Sequence, residues 1–497
     1  MKNMVKKICK FSVLFIIAVT IVYKGITIIL SNRGRDATPV ARAFSLSQIY
    51  NEVNKMSSSD VLFNSEVDFD DEYQKHFEMA YNAKDEYEYY MVLNSFMALL
   101  NDGHTMVRPN FSPSIIGNSG LHIAYIDDEY YIVGSKDQTV APLFSKIEKI
   151  NGIPINRYIA TKIEQYIGVK TPLRREYMIS RFLSQGKQGE TVQYTIRTPS
   201  GEEKDVSCIY LNISESQSVF IDILPVQKME YKSSNFIASY VRNDENTILY
   251  LNILTFREEN KNFLHEYYNY IVPLIDKVDG VIMDVRFNGG GNSLNGTILL
   301  SPFIEYSKLT GANGCDVFYR VSSPAIELPM YLYRNVNGAK NLYNKEFIGL
   351  IKDKKSFSIK EDKLYPALGV DYNIYNEDYL GDNIYLPMER VDKIDKPLTV
   401  LTNYFSGSAV DTFADLCKEL GVTTIGTNTG GFTTNCYSMK LDTGYSVQFS
   451  TGIPYSHDGH SIQNYGIKPD IFIDYNIQDL MNGEDSYINM ALDFLKR

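Results

Sequence analysis

Four short runs in the second half of the chain are apolar at consecutive rather than alternate positions: ILYLNIL (248–254), GVIMDVRF (280–287), LTVLTN (398–403) and TTIGT (423–427). Helical patterns lie between them. A strand that is apolar on both sides must be covered on both faces, which happens when parallel strands are joined by crossover helices. The runs therefore predict an α/β fold, with a core domain over residues 214–497 built on a mainly parallel sheet. At 497 residues, 44% apolar and 22% charged, the chain has ordinary globular usage and room for about three domains at roughly 150 residues each. No repeat at a solenoid period appears.

The first half reads differently. Apolar residues at Phe77, Ala80, Tyr81, Val92, Leu93, Phe96 and Leu99 recur at helical spacing, predicting an N-terminal helical domain over 44–115 that ends at the NDGHT turn. From Gly117 the spacing becomes two, in GLHIAYI, YYIVG, TVQYTIRT and KDVSCIYL, around a turn at Asn151-Gly152. This predicts a compact mixed domain over 116–213. Residues 1–33 carry Lys2, Lys6, Lys7, Lys10, Lys24 and Arg33, no acid, and the run FSVLFIIAVTIVY. The small-x-small site nearest to it, Ala41-Arg-Ala43, lies too far downstream for an ordinary signal peptide. An uncleaved membrane anchor is the expectation, followed by a linker over 34–43. The lysines would be cytoplasmic and the bulk extracellular, on a single-pass protein of the cell membrane, or secreted if the segment is cleaved. A net charge of −11 argues against nucleic acid as a partner. Five cysteines without CxxC spacing make neither a zinc nor a disulfide framework. The absence of Trp beside 38 Tyr and 25 Phe fits an AT-rich bacterial genome.

Four segments could carry chemistry. In KPLTVLTNYFSGSAVDTFADLCKELG, a buried-type strand turns into a helix with Ser408 at its start, where unpaired N–H groups and the positive dipole end suit a nucleophile and the oxyanion it creates. The same residues also read as a plain cap, with Ser406 or Ser408 and Asp411 forming a capping box. GVIMDVRFNGGGNS ends a strand at Arg286 in consecutive glycines, either an amide-lined concavity or a simple turn. It lacks the third glycine of a dinucleotide loop and the Lys of a phosphate loop. His104 sits in a polar turn after a helix, as a base or as a loop histidine. His457, Asp458 and His460 imitate a metal cluster without a firm third ligand, so no metal and no cofactor is expected.

Together these segments resemble the family of the C-terminal processing (tail-specific) peptidases and the tricorn core protease. DVRFNGGG is similar to its DxRxNxGG segment, FSGSAVDTFA to its SxSAxE segment and GIKPD to its GxxPD segment. The resemblance implies a serine peptidase acting on a peptide or unfolded protein, with 116–213 as a PDZ-like inserted domain. The processing peptidases place a lysine about 25 residues after the serine. Phe432 stands there in this chain, and Lys440 lies several residues too far along. The tricorn-type branch takes its base from a histidine matched by His104, which implies Ser408 as nucleophile and His104 as base. Backbone N–H groups of Gly290 and Ala409 would then face the oxyanion. That branch completes its relay with a glutamate, where this chain has Gln463. A catalytically weak or inactive peptide-binding pseudopeptidase is the alternative, and an esterase a third reading, against which the missing GxSxG elbow counts. Oligomeric state and substrate sequence are not encoded in any of these segments.

Overall fold

The computed structural model describes residues 37–57, 67–109, 115–212, 219–220, 229–243, 246–312, 314–320, 364–369, 393–433 and 436–496. The anchor expected over 1–33 lies outside the described residues. Among those described, no helix is long and apolar enough to cross a membrane.

Three helices open the described chain: α1 (Pro39–Met56), α2 (Phe69–Asn82) and α3 (Glu86–Ala98). Each begins on a side-chain cap, from Thr38 with Pro39 behind it, from Asp68 and from Asp85, which satisfies amides that have no intrahelical acceptor. Helix α1 thus begins inside the span 34–43 read as linker, because Thr-Pro is itself a helix start. Ala41-Arg-Ala43 lies within it. After α3 and the NDGHT turn comes the short strand β1 (Met106–Pro109).

The next unit is a sheet around one helix. Strands β2 (Leu121–Ile126), β3 (Glu129–Ser135) and β4 (Lys146–Ile150) are followed by helix α4 (Pro172–Leu183) and strands β5 (Thr191–Arg197) and β6 (Glu203–Ile209). The order is β2-β3-β4-β5-β6, with every pairing antiparallel. Ile132, Ile147, Ile150, Val192 and Ile196 form its core with Ile179 and Leu183 of α4.

The large sheet runs β7 (Met229–Lys232), β8 (Phe236–Asn243), β9 (Asn246–Ile253), β10 (Gly280–Asp284), β11 (Leu398–Thr402) and, after helix α5 (Ala409–Glu419), β12 (Thr423–Gly426). A hairpin, β13 (Cys436–Lys440) and β14 (Tyr445–Ser450), precedes the last strand, β15 (Ile471–Phe472), and helix α6 (Ser486–Leu495). From β9 to β15 the four pairings are parallel, while β7–β8 and β8–β9 are antiparallel. The consecutive apolar residues divide between two faces: Leu249, Leu251, Val281, Met283 and Val400 pack with Val410, Phe413 and Leu416 of α5. Ile248, Tyr250, Ile282, Leu401 and Ile425 pack with Tyr487, Ile488 and Ala491 of α6. Strand β1 does not join this sheet. It pairs with β14, and the core around that pairing is shared with α1–α3.

Candidate active site

Strand β11 leads through Asn403–Gly407 into α5, and the turn is locked from below. Ser406 Oγ donates to Val285 O at 2.8 Å and accepts from Asn403 N at 3.0 Å. This holds Ser408 at φ 58°, ψ −123°, half-buried, a region that non-glycine residues rarely occupy and that a functional site can stabilise. Ser408 makes no side-chain cap bond, and its N–H donates to Phe432 O at 2.7 Å. The capping box read from Asp411 lacks its serine half, although the Ser408 N–H lies close enough to the carboxylate to lower its pKa. The Asp411 carboxylate instead accepts the N–H groups of Gly431 and Phe432, both at 3.1 Å. Burial pushes its pKa up to about 6 against those bonds. Its donors at hydrogen-bond distance lie across the turn, so the acid anchors the 430–432 loop.

The glycine turn after β10 meets Ser408 closely. A Cβ on Gly290, at φ +92°, would stand 2.7 Å from Ser408 Cβ and 2.8 Å from Ala409 N, so no other residue fits. The Ala409 N–H donates to no group among the described residues. The Gly290 N–H expected to be free donates to Asn288 Oδ1 at 2.9 Å, because the asparagine closes its own turn. Arg286 lies beneath, fully buried against Asp284 and Asp485, as a support of this turn.

His104 arrives from the other side. Strand β1 pairs with β14 in a register that sets Met106 against Gln448, and continuing it by two residues sets His104 against Ser450. Its Nδ1 lies 3.1 Å from Ser450 Oγ. Ser450 Oγ donates to Asp102 Oδ1 at 2.9 Å and Ser450 N to Asp102 Oδ2 at 2.7 Å. His104 N and Thr105 Oγ1 also donate to this buried carboxylate. The tautomer that satisfies this chain has Nδ1–H donating to Ser450, which leaves the Nε2 lone pair for a proton. Burial lowers the His104 pKa, Asp102 opposes that shift and Arg174 adds to it.

Gln463 does not join His104. It is buried, and its Oε1 has no hydrogen-bond partner among the described residues. The imidazole takes its partner from β14, which lies next to β1. Nor does a hydrogen bond join His104 to Ser408. The ring of Phe432 reaches from Gly103 to Gly407, where added Cβ atoms would meet it at 2.9 and 2.1 Å, and it sits edge-on to His104 at 5.0 Å. Asp102 had a visible signal in NDGHT, two residues before His104. Ser450 had none, since its place depends on a strand pairing across 346 residues. His457 is bonded to Asp415 and His460 to Asp458, apart from this centre.

Residues 247–473 match the profile of Peptidase family S41. Tricorn protease of Thermoplasma acidophilum is 31% identical over 101 residues, 20% of this chain, and the chain spans only 9% of that relative's length. Two solved structures of mature CPAF, one complexed with lactacystin, share the fold at a TM-score of 0.68 and 16% identity; each covers 92% of this chain, and 98% and 96% of theirs. Over residues 247–473 the chain therefore carries a domain that matches peptidase family S41.

Proposed function

We propose that this chain is a serine peptidase that hydrolyses peptide bonds of peptides or unfolded proteins through an acyl-enzyme. It is held at the cell membrane by residues 1–33 with the bulk outside, and uses residues 116–213 as a PDZ-like peptide-binding module. The observation that carries the reading is Ser408 held at φ 58° on a strand–turn–helix, with the unshared Ala409 N–H beside it. His104 Nε2 takes the Ser408 proton as Oγ attacks the carbonyl. The resulting imidazolium donates through Ser450 to Asp102, which takes the orienting role that the family pattern gives to a glutamate. Ala409 N–H and the Gly290 N–H shared with Asn288 face the oxyanion, each such donor contributing about 3 kcal/mol. The proton then passes to the leaving amine, and water releases the acyl group with His104 again as base. Catalytic hydrogen bonds commonly tighten only in the substrate complex. Here that requires the Phe432 ring to leave the space between Gly103 and Gly407.

That ring is also the specific observation in favour of a peptide-binding pseudopeptidase. A fluorophosphonate probe on the folded chain separates the two readings. Labelling at Ser408, lost in Ser408→Ala and reduced at least a hundredfold in rate in His104→Ala, is expected of a peptidase. Peptide binding with no label above the Ser408→Ala background would leave the pseudopeptidase.

A further inference from the structure

Helices α1 and α2 each carry a second apolar stripe besides the one in their core. In α1, Ala43, Leu46, Ile49 and Val53 are buried, yet Val40 and Phe44, one turn apart, are 67% and 57% exposed. In α2, Phe69, His76 and Ala80 are buried, yet Phe77 and Tyr81, again one turn apart, are 37% and 48% exposed. The helices run antiparallel: Ser47 Oγ and Tyr73 Oη share a hydrogen bond at 2.9 Å, and Arg42 Nη1 donates to Ala83 O at 2.6 Å. Tyr73, Phe77 and Tyr81 follow one another at i, i+4 on α2, as Val40, Phe44 and Ser47 do at i, i+4 and i+3 on α1. The Ser47–Tyr73 bond therefore sets the two stripes side by side, and the four exposed side chains form one face.

Large apolar side chains gathered on an exposed face mark a surface with a partner. Position along the chain selects that partner. The face opens in the first turn of α1, and only residues 31–38 separate that helix from the apolar run ending at Leu30. Eight residues reach at most about 30 Å when fully extended, so the face cannot stray far from whatever holds the apolar run. Charge agrees with an anionic lipid surface: α1 has no acid before Glu52, Arg33 and Arg35 outnumber Asp36 in residues 31–38, and Lys84 follows α2. Phe and Tyr are also the side chains that suit the boundary between headgroups and acyl chains. A tether this short makes docking intramolecular, so a face of four side chains suffices.

We infer that the face formed by Val40, Phe44, Phe77 and Tyr81 docks on the headgroup layer of the bilayer, and so lays the protein on the membrane in one orientation instead of leaving it to tumble on its tether. The inference rests on the anchor proposed for residues 1–33 and adds a second membrane contact to it.

The chain contains no Trp, so one substitution installs a unique fluorescent reporter. Full chains carrying Phe44→Trp, Tyr81→Trp or, at an exposed position of β15, Phe472→Trp are reconstituted in vesicles of phosphatidylethanolamine and phosphatidylglycerol with plain or brominated acyl chains. Brominated lipid should quench the first two reporters at least about twofold and leave the third unchanged. Adding Val40→Glu and Phe77→Glu to the Tyr81→Trp chain should abolish the quenching; both positions are exposed, so neither change touches the core. Quenching at none of the three positions, equal quenching at all of them, or quenching that survives the two glutamates overturns the docking face. So does a blue shift without quenching, the signature of a second copy or of the chain's own segment covering it. Flotation of the vesicles reads the anchor separately. A chain that floats without quenching keeps the anchor and loses the face, whereas one that floats only while Val40 and Phe77 are intact keeps the face and loses the anchor. A parent chain that does not float loses both.

Discussion

Ser450 is the residue on which the proposed base depends most directly. Its hydroxyl is the one link between the His104 imidazole and the Asp102 carboxylate, so Ser450→Ala removes a hydrogen bond to the imidazolium without emptying the core. A bond to a charged group contributes about 1.5–3 kcal/mol, equivalent to about 10- to 150-fold in rate. The fluorophosphonate labelling rate should fall by that factor. Because burial holds the His104 pKa below its ordinary value, the base stays neutral at neutral pH. The rate should decline only as pH falls below about 6.5. In Ser450→Ala that decline should move lower still, since the protonated ring has lost its acceptor. An unchanged rate and pH profile would remove Ser450 from the chain of proton holders. Ser408 and His104 could be read from local composition, as a helix-opening serine and a histidine in a polar turn, whereas Asp102 of the same turn read only as a turn former. Ser450 and the occupied Gly290 N–H could not, because the first depends on strand register and the second on an asparagine closing its own turn.

At the scale of elements, the loop between β12 and β13 is held by the first turn of α5. Two buried amides, Gly431 N–H and Phe432 N–H, share the Asp411 carboxylate, and burial raises that acid from 3.8 to about 6. A raised folded pKa means the folded chain holds the extra proton more tightly. The stabilisation from this group is therefore complete below 3.8 and lost as pH rises through about 6. Asp411→Asn cannot titrate. The stability of the parent relative to this variant should therefore grow by about 2 kcal/mol as pH falls from 7 to 4, as read by denaturant unfolding at both values. A gap that is constant or moves the other way would show that the amides, not burial, dominate the acid. The strands themselves were legible because a sheet covered on both faces imprints apolar residues at successive positions. The antiparallel edge of β7 and β8 was not, since neither strand type nor direction follows from apolarity alone.

On the scale of the whole molecule, the site is divided between two parts of the chain that meet across β1 and β14. The serine, the glycine turn and Ser450 belong to the domain matched over 247–473, while His104 and Asp102 come from the end of the helical unit. What holds the helical unit on the hairpin is a shared apolar core, Tyr89, Leu93 and Phe96 against Tyr445, Val447 and Phe449, and one buried cluster. There Arg42 bonds Glu86 at 2.6 Å, and Tyr445 Oη donates to Glu86 Oε2 at 3.1 Å. Glu86→Gln leaves the Arg42 charge buried without a counter-charge, which typically costs about 3–5 kcal/mol. Such a loss should loosen α1–α3 and carry β1 and His104 away from Ser450 before the large sheet unfolds. Hydrogen exchange in residues 39–109 should accelerate at temperatures where strands β9–β12 remain protected, and labelling of Ser408 should fall in step with that exchange. Full labelling while residues 39–109 exchange freely would mean that the nucleophile takes its base from within 247–473, and His104 would lose its role.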